Sequence, residues 1–225
     1  MRGTPSATTP GSTSPTKILT TQDAEVQRLA AIAFIPGSST LDALQAAHGL
    51  ISKSMRPVYA MNDQQPVAKT VKRNRGSCSQ RMAVLEAVAR ASGVQTRVQG
   101  LIIDGSFWYQ RFPALKLLIP KEVVLAWPEF LVDGEWLSFS DLFGSVCAVQ
   151  NSKTFTNRPG ETLFEAVAAN RISFTGGNGC NLSEFILQDL GYFENRDELF
   201  VQQGQTLHWF PLFFADRIFN RWASV

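Results

Sequence analysis

One stretch constrains the fold of this chain more than any other: Gly76 to Met82, where a cysteine stands in the first turn of a helix. After Cys78 the apolar residues recur at helical spacing, and Gly93 stands where the helix would end. Unpaired backbone N–H groups at a helix start favour a thiolate and can bind a developing oxyanion. The position of Cys78 therefore indicates a nucleophile, although free cysteines are also common as simple packing residues.

Composition divides the chain into three parts. Residues 1–20 are rich in Thr, Ser, Pro and Gly, and such a segment buries too little apolar surface to fold, so they are predicted to form a disordered tail. Residues 21–145 are predicted to form the core, and residues 146–225 a mainly helical extension packed on it. Capping residues and helical apolar spacing predict helices beginning near Asp23, Thr40, Pro66 and Thr162, and an amphipathic segment from Leu182 to Leu190.

Three β-prone runs follow the cysteine helix. They are Val94–Ile103, Val123–Leu131 and Glu135–Phe139, and all three are predicted to be central strands of one antiparallel sheet. Asp133-Gly134 between the second and third runs predicts a tight hairpin. Pro128 cannot donate to a sheet ladder, which places an edge or a bulge at that point.

Charge and cysteine content argue against several classes of function. The formal net charge is +2, with 44% hydrophobic and 18% charged residues, so no nucleic-acid partner is indicated. Three cysteines without CxxC spacing, together with only two histidines, argue against a zinc site or a disulfide framework, and no metal or cofactor is expected. No apolar run approaches the roughly 20 residues of a membrane span, and nothing resembles a signal peptide. A reduced, cytoplasmic protein without a membrane partner is the natural expectation.

Several motifs together resemble the transglutaminase-like superfamily of papain-type thiol enzymes, over roughly Leu41 to Phe143. The family's Gly-x-Cys helix ends in Leu-Ala-Arg-x-x-Gly-(Ile/Val)-x-x-Arg-Val, and this chain has Val88-Ala89-Arg90-Ala91-Ser92-Gly93-Val94-Gln95-Thr96-Arg97-Val98. Ala126-Trp127, an Asp-Gly turn and Trp136 shortly before an Asp complete the likeness. The resemblance implies an α+β fold in which the Cys78 helix packs on an antiparallel sheet. It also implies that the cysteine attacks an amide or ester carbonyl, a histidine acts as base and acid, and an Asp orients that histidine.

The chain departs from this family pattern at the histidine. The family's histidine immediately precedes Ala-Trp, where this chain has Leu125, which neither accepts nor delivers a proton. The family's Asp stands four residues after the tryptophan, where this chain has Ser140, with Asp141 one position later. A shift of one residue in a strand turns a side chain to the other face. The resemblance therefore implies a degenerate triad with Cys78 retained.

Three hypotheses follow from this departure. In the first, Cys78 is a nucleophile working without the usual histidine, as an acyltransferase or acyl carrier in a small-molecule, peptide or carrier-bound pathway. In the second, the protein uses the same cleft for a different reaction or with a borrowed base such as His208; Asp141 and His208 are the candidate catalytic residues besides Cys78. In the third, the chain is a non-catalytic protein that binds a peptide, a carrier protein or an apolar ligand. His48, inside the second predicted helix, is interpreted as a packing or surface residue.

The implied cleft has apolar walls and a basic approach. Its walls would be Trp108, Tyr109, Leu125 and Trp127, which favours an acyl chain or an aromatic group inside. Arg75 and Arg81, with the nearby Lys69, Lys72 and Arg73, are predicted to receive a phosphate or carboxylate of the substrate or its carrier.

Two expectations concern the thiol itself. The sulfur of Cys78 is predicted to face Leu125. The helix start and nearby arginines are predicted to lower its pKa modestly, to about 7 to 8.5, since no imidazolium is present to lower it further.

Overall fold

The computed structural model describes residues 9–60, 62–143, 155–158, 160–169, 172–173 and 180–204. The helices in these ranges are α1 (Ala24–Ala33), α2 (Thr40–Ser54), α3 (Val67–Lys72), α4 (Cys78–Ala91), α5 (Leu163–Ala168) and α6 (Arg196–Gln203). The strands are β1 (Arg56–Pro57), β2 (Arg75–Gly76), β3 (Thr96–Asp104), β4 (Glu122–Val132), β5 (Glu135–Ser138), β6 (Ile172–Ser173), β7 (Cys180–Asn181) and β8 (Ile186–Phe193). The chain is therefore an α+β protein, as the sequence predicts.

Helix α4 lies at the centre of the fold. Every residue from Gln80 to Arg90 is buried, so the helix has no solvent-facing side along most of its length. Helices α1, α2 and α3 pack around it, and β4 packs against it from the sheet side. The predicted end of the helix is confirmed, because Ser92 caps it and Gly93 takes a left-handed φ of 83°.

The main sheet has four antiparallel strands in the order β5–β4–β3–β8. The antiparallel sheet behind the Cys78 helix is thus confirmed. The prediction that all three runs are central is corrected for Glu135–Ser138, which lies at one edge, while β8 takes the other edge.

The hairpin between β4 and β5 forms at Asp133-Gly134, whose φ angles are 51° and 86°. Pro128 lies just beyond the last paired residue of β5, and its carbonyl oxygen accepts the Phe139 N–H at 2.9 Å. Because a residue's N and C=O point to the same side of a strand, the missing N–H of Pro128 faces the side where β5 ends. The proline therefore stands where β4 is an edge, as expected from its chemistry.

The N-terminal segment corrects the predicted disordered tail. Residues 1–8 lie outside the described residues, but residues 9–20 pack on the domain. Ile18 and Leu19 are 2% and 0% exposed, and Ser12 forms a two-way backbone bridge with Thr96. The composition rule failed because these two apolar residues find a core to enter and α6 supplies a carboxylate, Asp197, which accepts the Ile18 N–H at 3.1 Å.

The described part of the chain after residue 145 is only partly helical and is not a layer outside the core. Leu182–Phe185 is a 3-10 turn and β8 pairs with β3, so only residues 186–190 of the amphipathic segment lie in the sheet. Helix α6 packs on β3, β4 and β8. The side-chain pattern alone does not show that β3 has an open edge opposite β4. Strand β8 pairs with that edge.

A buried ion pair ties α6 to α4. The Arg196 guanidinium binds the Glu86 carboxylate, and both side chains are 0% exposed. Arg196 Nη1 also donates to the Ser79 carbonyl at 3.3 Å. Each charge depends on the other, because neither can reach water.

We expect the substitution Arg196→Met to destabilise the protein strongly, since it leaves the Glu86 carboxylate buried without its cation. Removing one partner of such a pair costs about 3 to 5 kcal/mol. Urea unfolding measures the loss. The matched control is Arg28→Met, whose ion pair with Glu25 is exposed and worth about 1 kcal/mol or less. Equal losses in the two variants would contradict the prediction, and Glu86→Leu added to Arg196→Met should restore part of the stability.

Candidate active site

Local sequence fixes the position of the thiol. Ser77 caps α4, accepting the Gln80 N–H on its Oγ at 3.2 Å, while Gln80 Oε1 accepts the Ser77 N–H at 3.1 Å. Gly76 is required just before this capping box, because a Cβ there would lie 2.8 Å from Cγ2 of Thr70. The Gly-Ser-Cys sequence thus holds Cys78 at the first position of the helix, as predicted.

The sulfur of Cys78 lies against the start of α5. The backbone N–H groups of Leu163 and Phe164 donate to it, and the Arg81 guanidinium is close enough to act on its charge. The side chain is partly buried and packs against the hydrophobic core. These donors come from a segment more than 80 residues away in the chain, and neither composition nor periodicity could assign them.

Burial raises the pKa of the Cys78 thiol above its ordinary value. The Phe164 N–H, the Arg81 guanidinium and the Leu163 N–H act in the opposite direction, and the Glu165 carboxylate adds to the rise. The expected modest depression of this pKa is therefore wrong in sign. The sequence showed the helix start and the arginines but gave no measure of how far the sulfur is desolvated.

Arg81 is not an exposed receptor for a substrate anion. Its side chain is 0% exposed and binds the Glu165 carboxylate through both terminal nitrogens, one of them at 3.1 Å. Its guanidinium also lies 4.4 Å from the centre of the Phe164 ring. The predicted role of Arg81 is thus corrected: its charge acts on Cys78 and Glu165 from within the protein. Arg75, by contrast, is exposed, as are Lys69, Lys72 and Arg73.

His48 lies behind the residue that holds the sulfur. It is 3% exposed, its Nε2 lies 2.8 Å from the Phe164 carbonyl oxygen, and its ring stacks on the Phe164 ring at 4.2 Å. Burial lowers its pKa below the ordinary value. The packing interpretation of His48 agrees with this burial, but the sequence gave no sign that it supports a residue bonded to the thiol.

Tyr59 is a second neighbour of the thiol that sequence reasoning missed. Burial raises the pKa of its hydroxyl, and the charge of a Cys78 thiolate acts in the same direction. Arg111 stacks over the Tyr59 ring at 4.8 Å, and the Phe112 ring meets it edge-on at 4.7 Å. The parallel pairing of β1 with β2 is what positions Tyr59. The sequence did not reveal it, because strands of two residues leave no periodic pattern.

Asp63 also lies near the start of α4. Its carboxylate hydrogen-bonds the Ser79 side chain near Arg196, and burial raises its pKa to about 6. The loop that carries it is held by Gln80, whose Nε2 donates to the Asn62 carbonyl at 2.9 Å.

The predicted aromatic walls divide into two groups. Leu125 and Trp127 are 8% and 1% exposed and belong to the core cluster against which Cys78 packs, with Trp127 edge-on to Phe139 at 5.4 Å. Trp127 is therefore a core residue and not an open cleft wall. The direct approach of Leu125 to the sulfur stays a prediction. Trp108 and Tyr109 are half-buried at a 3-10 turn, and their contact with a substrate also stays a prediction.

The remaining two candidates are Asp141 and His208. Asp141 is exposed, and its Oδ2 accepts from the Ser138 hydroxyl at 2.6 Å and from the Ser138 N–H at 3.2 Å. These bonds give Asp141 a structural role at the end of β5. His208 lies outside the described residues, as does the aromatic segment around it.

The described residues also bear on metal binding and on membrane insertion. Among them, no three or more His, Cys, Asp or Glu side chains are grouped so that they could hold a metal ion. In the same part of the chain, no helix combines the length and the apolar character needed to cross a membrane.

Comparison with known proteins gives a family match for the region around the thiol. Residues 36–140 match the family model described as the transglutaminase-like superfamily. No curated protein sequence matches the chain. Among solved structures, a candidate cysteine protease from Cytophaga hutchinsonii is 16% identical with a TM-score of 0.41, over 56% of this chain and 39% of that one. A candidate protease from Parabacteroides distasonis is 10% identical with a TM-score of 0.37, over 52% of this chain and 23% of that one. The chain thus spans less than two fifths of either protein.

We expect Cys78 to be alkylated slowly at neutral pH, with a rate that continues to rise above pH 8.5, because the desolvated thiol resists ionisation. The reference is a short unstructured cysteine peptide, whose pKa is about 8.5. Iodoacetamide alkylation followed by peptide mass mapping gives the midpoint for both thiols. A midpoint for Cys78 below that of the peptide would contradict the raised pKa.

We expect His48 to contribute stability that is present above pH 6.5 and is lost as the pH falls through its lowered pKa, because the folded protein resists a buried imidazolium. Arg81 opposes that charge and Glu165 favours it. The variant His48→Gln removes the titration and keeps a donor for Phe164. Urea unfolding of both proteins at pH 7.5 and pH 5 should show a smaller loss in the variant. Asp63 titrates in the same range but is present in both proteins, so a pH dependence that is equal in the two would refute the assignment.

Proposed function

We propose, from the match of residues 36–140 to the transglutaminase-like superfamily, that Cys78 is the nucleophile of an acyl-transfer reaction. The observation that carries the proposal is the set of donors on the sulfur. A thiol that served only for packing would not need two backbone N–H groups on its sulfur and a guanidinium near enough to act on its charge. All three favour the thiolate, which is the reactive form.

The reaction is a two-step exchange. The thiol first gives its proton to solvent, and the thiolate then attacks a carbonyl carbon, forming a C–S bond and an oxyanion. The carbonyl re-forms as the bond to the leaving group breaks, which leaves an acyl-Cys78 thioester. An amine or water then attacks that thioester, loses a proton and releases Cys78 as the thiolate.

The absence of histidine at position 125 selects the class of acyl donor. An amine leaves a tetrahedral intermediate only after its nitrogen has gained a proton, which is the usual task of the imidazolium. A thiol ionises near pH 8.5 and leaves as the thiolate without that help. Leu125 cannot deliver a proton, so a thioester donor suits this site better than an amide.

The surface ahead of the thiol supports a donor that carries negative charge. Lys69, Lys72, Arg73 and Arg75 are exposed on α3 and β2, directly before the Gly76 turn. A phosphate-bearing thioester, free or attached to an acidic carrier protein, matches this charge. The free thiol that the reaction needs also suits a reducing compartment such as the cytoplasm.

A second candidate is a non-catalytic protein that binds a peptide, a carrier protein or an apolar ligand at the same place. The raised thiol pKa favours it, because little thiolate is present at neutral pH. In that case Cys78 would remain unmodified by any acyl donor.

We expect the octanoyl thioester of N-acetylcysteamine to acylate Cys78, and the matching octanoyl amide to leave it unmodified, because only the thiolate leaves unprotonated. Intact-mass analysis at pH 8.5 measures the adduct. The variant Cys78→Ala should show none, which assigns the site against Cys147 and Cys180. Absence of an adduct in the wild type, with alkylation still observed, would favour the binding protein. Acylation by the amide would mean that a proton donor is present after all.

A further inference from the structure

We infer that the hydroxyl of Tyr59 is the hydrogen-bond donor that stabilises the oxyanion formed when Cys78 is acylated. This inference rests on the proposed acyl transfer and assigns a second catalytic residue to it. Tyr59 stands 19 positions before the cysteine, in a stretch that the sequence patterns left without a function.

The backbone places Tyr59 beside the thiol. Strands β1 and β2 are parallel, with Arg56 opposite Arg75 and Pro57 opposite Gly76. The pairing continues one residue further, since the Val58 N–H donates to the Gly76 carbonyl at 3.1 Å. Tyr59 is the next residue on its strand, just as Ser77 and Cys78 are next on the other. Its position is therefore set by hydrogen bonds to the same turn that sets the cysteine.

Two neighbours hold the ring of Tyr59 in one orientation. The Arg111 guanidinium covers its face at 4.8 Å, and the Phe112 ring meets it at 4.7 Å with an angle of 79° between the planes. Arg111 is 6% exposed and donates through Nη1 to the Arg158 carbonyl, so the cation itself is fixed. A ring held in this way loses little conformational entropy when its hydroxyl binds a reacting group.

The hydrogen-bond inventory decides what the hydroxyl can do. A phenol has one hydrogen to donate and lone pairs that accept. The Arg111 guanidinium lies against Tyr59, and a guanidinium only donates, so it cannot accept the hydroxyl hydrogen, which remains for another acceptor. Cys78 is near enough for its charge to act on this hydroxyl. The acceptor on the Cys78 side is the oxyanion that forms when the thiolate attacks.

The environment keeps Tyr59 a donor and prevents it from acting as a base. Burial raises the pKa of its hydroxyl well above the ordinary value, and Arg111 only partly offsets this rise. The phenol therefore stays protonated at neutral and mildly alkaline pH. It transfers no proton: the carbonyl oxygen gains the electron pair when the C–S bond forms, and returns it when the leaving thiolate departs. A donor of this kind lowers the barrier only while the oxyanion exists.

The test compares two reactions of the same thiol. Acylation by p-nitrophenyl octanoate passes through an oxyanion, whereas alkylation by iodoacetamide displaces iodide at carbon and forms none. In the variant Tyr59→Phe we expect acylation of Cys78 to slow by about 100- to 1,000-fold, the usual effect of removing one oxyanion donor. Alkylation should change far less than acylation, because it forms no oxyanion. The phenylalanine keeps the ring contacts with Arg111 and Phe112, and thermal unfolding checks that the fold is retained.

The matched control is Tyr192→Phe, which removes a hydroxyl that meets Glu129 on β4. It should leave both rates unchanged. Equal acylation rates in wild type and Tyr59→Phe would overturn the inference and leave the proposed acyl transfer intact. Equal slowing of acylation and alkylation would also overturn it, since Tyr59 would then act on the thiol and not on the oxyanion. A wild-type Cys78 that is alkylated but never acylated would overturn both proposals.

Discussion

The burial of α4 is the constraint on which the rest of the structure depends. A helix without a solvent-facing side must satisfy each of its charged residues from within the protein. Arg81 binds Glu165 on α5, and Glu86 binds Arg196 on α6. Arg90 donates to the Ser14 carbonyl at 2.8 Å and to the Glu194 carbonyl at 2.7 Å. Each charge thereby attaches a segment that is remote in sequence, and the N-terminal segment, α5 and α6 are all held in place by this one helix.

The same burial governs the thiol. The Leu163 and Phe164 N–H groups and Arg81 all favour the thiolate, yet desolvation is the largest effect and the pKa is raised. Glu165 adds to the rise because its negative charge repels the thiolate. The site therefore holds a thiol that is well oriented but weakly ionised. A reaction with an activated donor is consistent with such a thiol, because orientation then supplies more of the rate than basicity does.

The sequence predicted what depends on short-range pattern. Gly-Ser-Cys with a helical run and a closing glycine located α4, Asp133-Gly134 located the hairpin, and the likeness to the transglutaminase-like superfamily located the region that matches its family model. The sequence did not predict contacts between residues that lie far apart along the chain. The composition of residues 9–20 resembles that of a disordered tail. Its own sequence does not show the hydrogen bonds with Arg90 and Asp197 that hold it on the domain. Likewise, a two-residue strand such as β1 leaves no period from which Tyr59 could be placed.

In the proposed reaction, Leu125 at the position of the family's histidine changes what the surrounding residues must provide. An imidazole activates the nucleophile, stabilises its charge and protonates the leaving group. In the proposed site those tasks are separated: the N–H groups of α5 and Arg81 act on the thiolate, and Tyr59 is proposed to donate to the oxyanion. The third task, protonation of the leaving group, has no side chain assigned to it among the described residues. The chemistry of the substrate must then supply what the protein does not, and a leaving thiolate meets that requirement because it departs without a proton.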